Sequence, residues 1–343
     1  MDPLCTPSDI LAKSYDAILF DLDGVIYIGP DAIPGVVSVI NDIQQTYSPA
    51  LTYVTNNASR SANSVSQHLN ELGLHTDEHD VVTSAQAGAQ ELRERLAAGS
   101  RVFVLGSKDL MKEVELVGLV PTQDFDLDVS AVIQGYWPDM PWRMLAQACA
   151  MINAGALWVA TNLDLTIPTQ WGVAPGNGSM VRMLGTVLGR VPDVVAGKPE
   201  RPLMQASVDR TGAAKPLMVG DRLDTDILGA TNIGIDSLLV LSGVTTVSEL
   251  FEAPVHLRPT YLAWDAAGLA DSQPQVQVQG DSIECHGWRV AQEELSGSGD
   301  ILDAIRTVVV AVWTQAMTPA QASHALGQRG FDVAAVRLPD SSR

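Results

Sequence analysis

The chain has 343 residues, 46% of them hydrophobic, and its 40 acidic against 21 basic side chains give a formal charge of −19. That length carries two or three domains with a sizeable core, and the negative field excludes nucleic acid and anionic membrane as general partners. Three scattered cysteines, Cys5, Cys149 and Cys285, exclude a disulfide framework or a thiolate metal site and point to a reduced, cytoplasmic protein. No basic, apolar leader opens the chain at Met1-Asp2-Pro3-Leu4 and no run of about 18 apolar residues follows, so neither secretion nor membrane spanning is expected.

In chain order, residues 15–20 read as a buried strand whose apolar run, Ala17-Ile18-Leu19-Phe20, ends at Asp21-Leu22-Asp23-Gly24. The side-chain period of a strand is two, so both carboxylates fall on one face, where one can attack an electrophile while the other handles a proton. Alone, the pair reads better as an acidic loop. Residues 34–45 suit a helix with proline at its start, 51–55 a second strand, and Ser59 or Ser61 caps a helix that stops near Gly73. This rhythm predicts a parallel sheet with helices on both faces.

From about Ala85 to Val195 the rhythm continues with strands at 101–105, 131–135 and 157–161 and an amphipathic helix over 141–153, as a second α/β unit inserted into the first. The first pattern then resumes, with strands at 217–220 and 237–241 around a helix from Asp224 to about Asn232. Past Ala270, a polar linker at 272–275 leads to a hairpin over 276–290 turning at Gly280-Asp281, then to helices near 299–315 and 319–327.

Four strand ends present polar groups: Asp21 and Asp23; Thr55-Asn56-Asn57; Gly197-Lys198-Pro199; and the run Gly220-Asp221-Arg222-Leu223-Asp224-Thr225-Asp226. In an open parallel sheet the carboxyl ends of the strands line one crevice, so groups distant in sequence can converge there. Each also has a plainer reading. Thr55 suits a strand end, Lys198 a solvated loop, and Asp224 a helix cap, the role favoured for it. Asp221, behind an apolar strand, needs a partner.

Taken together, these motifs resemble those of the haloacid dehalogenase superfamily of aspartate-nucleophile phosphatases, in the subgroup with a large α/β cap that includes nitrophenyl-phosphatase-like, phosphoglycolate and glycerol-3-phosphate phosphatases. The likeness spans roughly residues 15–265. It implies a doubly wound, Rossmann-like parallel-sheet core over 1–84 and 195–270, an inserted α/β cap over 85–194 and a small α+β extension over 271–343. It implies that Asp21 attacks phosphorus and that Asp23 protonates the leaving alkoxide, then activates water. Mg2+ is the implied cofactor, held by Asp21, the Asp23 carbonyl and Asp221, with Asp226 orienting the ligands. Thr55 and the backbone N–H groups of Asn56 and Asn57 would cradle the phosphate, and Lys198 would offset its charge.

In the cap, Asn162 and Asp164 match family positions near the phosphate or leaving group. The turn at 175–179 suits either that role or a loop capping a helix from Ser179, and Arg182 either substrate or solvent. Trp137, Trp142, Trp158 and Trp171 read as cap core or cap-to-cap contact, Trp288 and Trp313 as packing in the tail. The tail departs from the family, whose members usually end near Leu269, and its hairpin and helices are similar to a truncated acetyltransferase fragment without the pyrophosphate turn. Glu284 and His286 alternate on one strand face, as a metal pair or, better, a solvated face. The tail reads as a stability, dimerisation or regulatory module. The expected substrate is a small phosphorylated metabolite, glycerol 3-phosphate first and 2-phosphoglycolate next. A sugar-phosphate mutase using the same aspartates stands as the enzymatic alternative, a non-enzymatic regulatory protein last, and a homodimer is left open.

Overall fold

The computed structural model describes residues 10–169 and 171–335. The chain divides into two compact units, one made of residues 1–52, 72–75 and 211–343, the other of 53–71 and 76–210. Cys5 lies outside the described residues.

The first strands are β1 (Ala17–Phe20), a short ribbon β2 (Tyr27–Ile28) and β3 (Asp31–Ala32), β4 (Ala50–Thr55) and β5 (Val81–Thr83). Much later come β13 (Pro216–Gly220), β14 (Asp236–Val240) and β15 (Tyr261–Ala263), and the six longer strands make one sheet in the order β15-β14-β13-β1-β4-β5. The chain starts at the centre, runs outward through β4 and β5, and returns to build the other wing, which is the doubly wound arrangement. Apolar runs give fully buried strands such as Ala17–Phe20 and Pro216–Gly220 because a parallel sheet is covered on both faces. The reversal point falls between β1 and β13, which pair in parallel from Ala17 and Pro216 to Phe20 and Val219.

Residues 76–210 hold a five-stranded parallel sheet from β6 (Arg101–Leu105), β7 (Val120–Thr122), β8 (Ala131–Gln134), β9 (Leu157–Ala160) and β12 (Val194–Val195), in the order β12-β9-β8-β6-β7. An antiparallel hairpin, β10 (Thr166–Thr169) and β11 (Gly172–Pro175), leaves this sheet after β9. Helices α5 (Trp142–Asn153) and α6 (Asn177–Leu188) share one core with Trp158, while α3 (Ser84–Arg95) and α4 (Lys108–Leu116) border the other. Trp158 is core, as the sequence suggests, but Trp142 and Trp171 are 78% and 87% exposed. α6 starts at Asn177 rather than Ser179, and Arg182 is exposed on it.

Residues 277–297 form a four-stranded antiparallel meander, β16 (Gln277–Gln279), β17 (Ser282–Cys285), β18 (Trp288–Ala291) and β19 (Glu294–Gly297), where the sequence predicts a single hairpin. The extra reversals at His286-Gly287 and Gln292-Glu293 put non-glycine residues at φ of 40°, 49° and 64°, residue types that do not announce a turn. Helices α10 (Ile301–Trp313) and α11 (Pro319–Gly327) follow. α10 is buried on nearly every side, and Ile305, Val308 and Val309 join Leu239, Leu250, Phe251 and Leu262 in one cluster. Its buried Arg306 donates to Asp303 at 2.6 Å, to the Leu262 carbonyl at 2.6 Å and to Gln273 at 3.1 Å, so the charge is fully engaged.

Candidate active site

The two strands at the reversal point end in the site's acids. Asp21 follows β1 and donates its backbone N–H to the Val219 carbonyl at 2.9 Å, continuing the parallel ladder one residue past the strand. Asp221 follows β13 and is 1% exposed; its carboxylate accepts from Val244 N at 2.7 Å and its carbonyl from Thr245 N at 3.1 Å. Asp226 is fully buried and accepts from Arg222 N at 3.1 Å, inside a π turn over Leu223–Ile227 that leads into helix α8 (Leu228–Ile233). A π turn carries one more residue per hydrogen-bonded loop than an α turn, and here it swings Asp226 back beneath Gly220. A Cβ on Gly220 would lie 2.2 Å from that of Asp226.

Carboxylate oxygens of Asp21, Asp221 and Asp226 lie within 4.8 Å of one another. Three like charges at that range repel by several kcal/mol even at an effective dielectric of about 20, and all-oxygen donors suit a hard divalent cation. The residues therefore fit Mg2+. Asp23 stands outside this cluster: it is exposed and bridges to Tyr27 across the sharp turn at Gly24, whose φ is 79°. Backbone crowds Asp221 closely, since a Cβ at Gly243 would meet its Oδ2 at 2.0 Å and one at Gly24 would meet it at 2.6 Å. The loop Ser242-Gly243-Val244 after β14 is thus part of the site, and sequence reading missed it; the signal was a Ser-Gly pair ending an apolar strand.

Asp224 is not a helix cap. It is exposed and grips its neighbour Arg222 through two bonds of 3.1 and 2.9 Å, and the π turn has no side-chain cap. Nor do Glu284 and His286 form a metal pair. Glu284 lies 3.2 Å from Arg289, whereas His286 occupies the turn, 3.5 Å from Asp303.

The second unit holds the remaining candidates in one hydrogen-bonded group. Thr55, the last residue of β4, is 6% exposed, and its hydroxyl accepts from Asn57 N at 3.1 Å, while Asn57 Oδ1 accepts from Ser59 N at 2.8 Å. The Asn56 side chain reads Lys198's backbone in both directions, accepting from its N at 2.7 Å and donating to its carbonyl at 3.0 Å. It also donates to Asp164 at 3.1 Å. Asn162 donates to the Asn56 carbonyl at 2.6 Å, so three other candidates, Lys198, Asp164 and Asn162, meet on this one asparagine. Lys198 is 3% exposed with its ammonium 3.2 Å from the Val54 carbonyl. Gly197 makes this fit available, because a Cβ there would lie 2.6 Å from Asn56 Oδ1.

Comparison with known proteins agrees with this chemistry. A haloacid dehalogenase-like hydrolase family model matches residues 18–120, and a related HAD-hydrolase-like model matches residues 195–269. The D-glycerol 3-phosphate phosphatase of Mycobacterium tuberculosis is 42% identical over 314 residues, covering 88% of this chain and 87% of that protein. An acid sugar phosphatase of Staphylococcus haemolyticus is 34% identical over 251 residues, 73% of this chain and 93% of its own length. The crystal structure of the M. tuberculosis glycerol phosphate phosphatase in complex with magnesium superposes with a TM-score of 0.79 at 40% identity, over 89% of this chain and 92% of that one. At such coverage the likeness to the mycobacterial protein reaches past Ala270 into the tail.

Proposed function

This chain belongs to the haloacid dehalogenase-like hydrolases, and on that premise we propose that it hydrolyses glycerol 3-phosphate to glycerol and inorganic phosphate. It is a phosphoric monoester hydrolase, and Mg2+ is its metal. The observation that carries the reading is the cluster of Asp21, Asp221 and Asp226 at the carboxyl ends of the two strands where the sheet's winding reverses.

Asp21 attacks the phosphorus in line, forming an aspartyl-phosphate as the alkoxide leaves. Asp23 gives that alkoxide its proton and then takes one from the water that attacks the phosphorus and frees Asp21. Asp21, Asp221 and the Asp23 carbonyl would hold the metal, which when bound neutralises the meeting of carboxylate and phosphate; Asp226 orients its surroundings. Thr55 and the N–H groups of Asn56 and Asn57 take phosphate oxygens, Lys198 offsets their charge, and Asn162 and Asp164 serve the phosphate or leaving group. The rigid hold of Asn56 on Lys198 supports this division, because a buried cation with a fixed backbone is organised before substrate arrives.

Residues 85–194 act as the cap that selects the substrate, on a core of 1–84 and 195–270. The named activity of the mycobacterial relative favours glycerol 3-phosphate, and that of the staphylococcal one keeps other small sugar phosphates as the second reading. A cytoplasmic setting is consistent with the free thiols of Cys149 and Cys285, and the exposed Trp142 and Trp171 are the side chains a homodimer would cover. No described helix is long and apolar enough to cross a membrane.

The test is phosphate release by the purified full chain with Mg2+ over glycerol 3-phosphate, 2-phosphoglycolate and a set of sugar phosphates, without any bisphosphate activator. The highest kcat/KM on glycerol 3-phosphate, abolished by EDTA, is the expected result. Isomerised sugar phosphate without free phosphate would mean a mutase instead.

A further inference from the structure

The turn that opens α6 reaches backward onto the loop that precedes the hairpin. Gly176 N donates to the Leu165 carbonyl at 2.8 Å, Gly178 N to the Asp164 carbonyl at 2.8 Å, and Ser179 Oγ to the Leu165 carbonyl at 2.6 Å. Between them Asn177, 1% exposed, aims its amide away from its own helix: Nδ2 donates to the Asn162 carbonyl at 2.8 Å and to the Gln134 carbonyl, at the end of β8, at 3.4 Å. The approach is so close that a Cβ on Gly178 would stand 2.0 Å from the Leu163 oxygen, and one on Gly176 2.4 Å from that of Asp164.

The loop held in this way carries Asn162 and Asp164, and both bond onward to Asn56, the residue that grips Lys198. Asn177 thus stands at the far end of a chain of hydrogen bonds that runs from β8 through the 162–165 loop to the Lys198 backbone. Capping does not account for it, because the N-cap is Gly176 and no side chain caps α6.

We propose that Asn177 is a positioning residue for the phosphatase reaction, fixing Asn162 and Asp164 against Asn56 before the substrate arrives. The inference rests on the reading that Asp164 serves the substrate. Asn177 is buried under the loop and touches no substrate; it spares the bound ester the entropy of ordering residues 162–165. Loosening the loop therefore falls on KM more than on kcat, since the aspartate that attacks phosphorus is elsewhere in the chain.

Steady-state kinetics on glycerol 3-phosphate with the full-length Mg2+ enzyme test this, using Asn177→Ala, Gly178→Ala, Asp164→Ala and the double variant Asn177→Ala/Asp164→Ala. Gly178→Ala sets a Cβ against the Leu163 backbone and pushes that carbonyl away, so it displaces the same loop without removing the Asn177 amide. Expected are KM values raised about tenfold in each single variant with kcat within about threefold, and a double variant no more than about twofold worse than Asp164→Ala alone. Unchanged KM in Asn177→Ala and Gly178→Ala beside a raised KM in Asp164→Ala overturns the proposal alone. Effects that multiply in the double variant, or a fall in Tm and kcat at constant KM, also overturn it. A silent Asp164→Ala overturns both the proposal and the reading beneath it.

Discussion

Asp21 and Asp221 were legible because each directly follows an apolar run, and a carboxylate at the end of a buried strand has few roles open to it. Asn56 was legible only in part. Its backbone belongs to a recognisable motif, but the side chain's grip on a residue 142 positions away has no local signature. Asp16 makes a third case, at the opposite end of β1: it accepts from Ala214 N at 2.8 Å and Lys215 N at 2.9 Å, tying the strand's start to the entry of β13. Burial is the largest single influence on its carboxyl and pushes its pKa up, but the backbone N–H groups outweigh it and hold the pKa below the usual carboxylate value. A depressed pKa means stability present above the unfolded value of about 3.9 and lost as pH falls through the folded one. Because Asp16 is exposed, the contribution is small. Asp16→Asn should lower Tm by about 1–3 °C at pH 7 and by nothing measurable near pH 2.5, read by thermal melts at both. An equal loss at the two pH values would refute the charge argument.

Among elements, strands buried on both faces announced themselves, and Arg101–Leu105, Ala131–Gln134 and Leu157–Ala160 fall where the sequence puts them, to within a residue. Helix α3, Ser84–Arg95, has no legible pattern in the sequence. Its buried face is built from Ser84, Ala85, Ala87, Gly88, Ala89 and Leu92, and with Leu92 its single large apolar member it gives little hydrophobic contrast; a Cβ on Gly88 would already stand 3.1 Å from Ile133. The tail helices were legible, yet their intimacy with the rest of the first unit was not, because α10 reads as an ordinary apolar helix. In the structure it covers Leu239, Leu250, Phe251 and Leu262, and Trp313 donates to the Leu250 carbonyl at 2.8 Å. Uncovering several such side chains forfeits about 1.5–3 kcal/mol each, which rivals a whole domain's stability of about 5–15 kcal/mol. A chain ending at Ala270 should therefore aggregate or melt more than about 10 °C lower, measured by soluble yield and calorimetry. Full solubility and an unchanged Tm would make the tail a separate appendage.

At the scale of the whole molecule, a chain of charge −19 that handles an anionic ester must concentrate its positive charge locally. The structure's means are a buried lysine with a fixed backbone and a carboxylate cluster that fits a divalent cation. Composition alone gave only the exclusions; the acids at the winding reversal gave the chemistry, and the relatives' names supplied the alcohol. Covalent catalysis depends above all on Asp21 as nucleophile. The decisive measurement is kcat for Asp21→Asn against the wild type on glycerol 3-phosphate with saturating Mg2+, with Tm recorded for both. A fall on the order of 10³ or more with Tm undiminished is the predicted result. Turnover within about tenfold of wild type, in a protein still folded, would contradict covalent catalysis at Asp21.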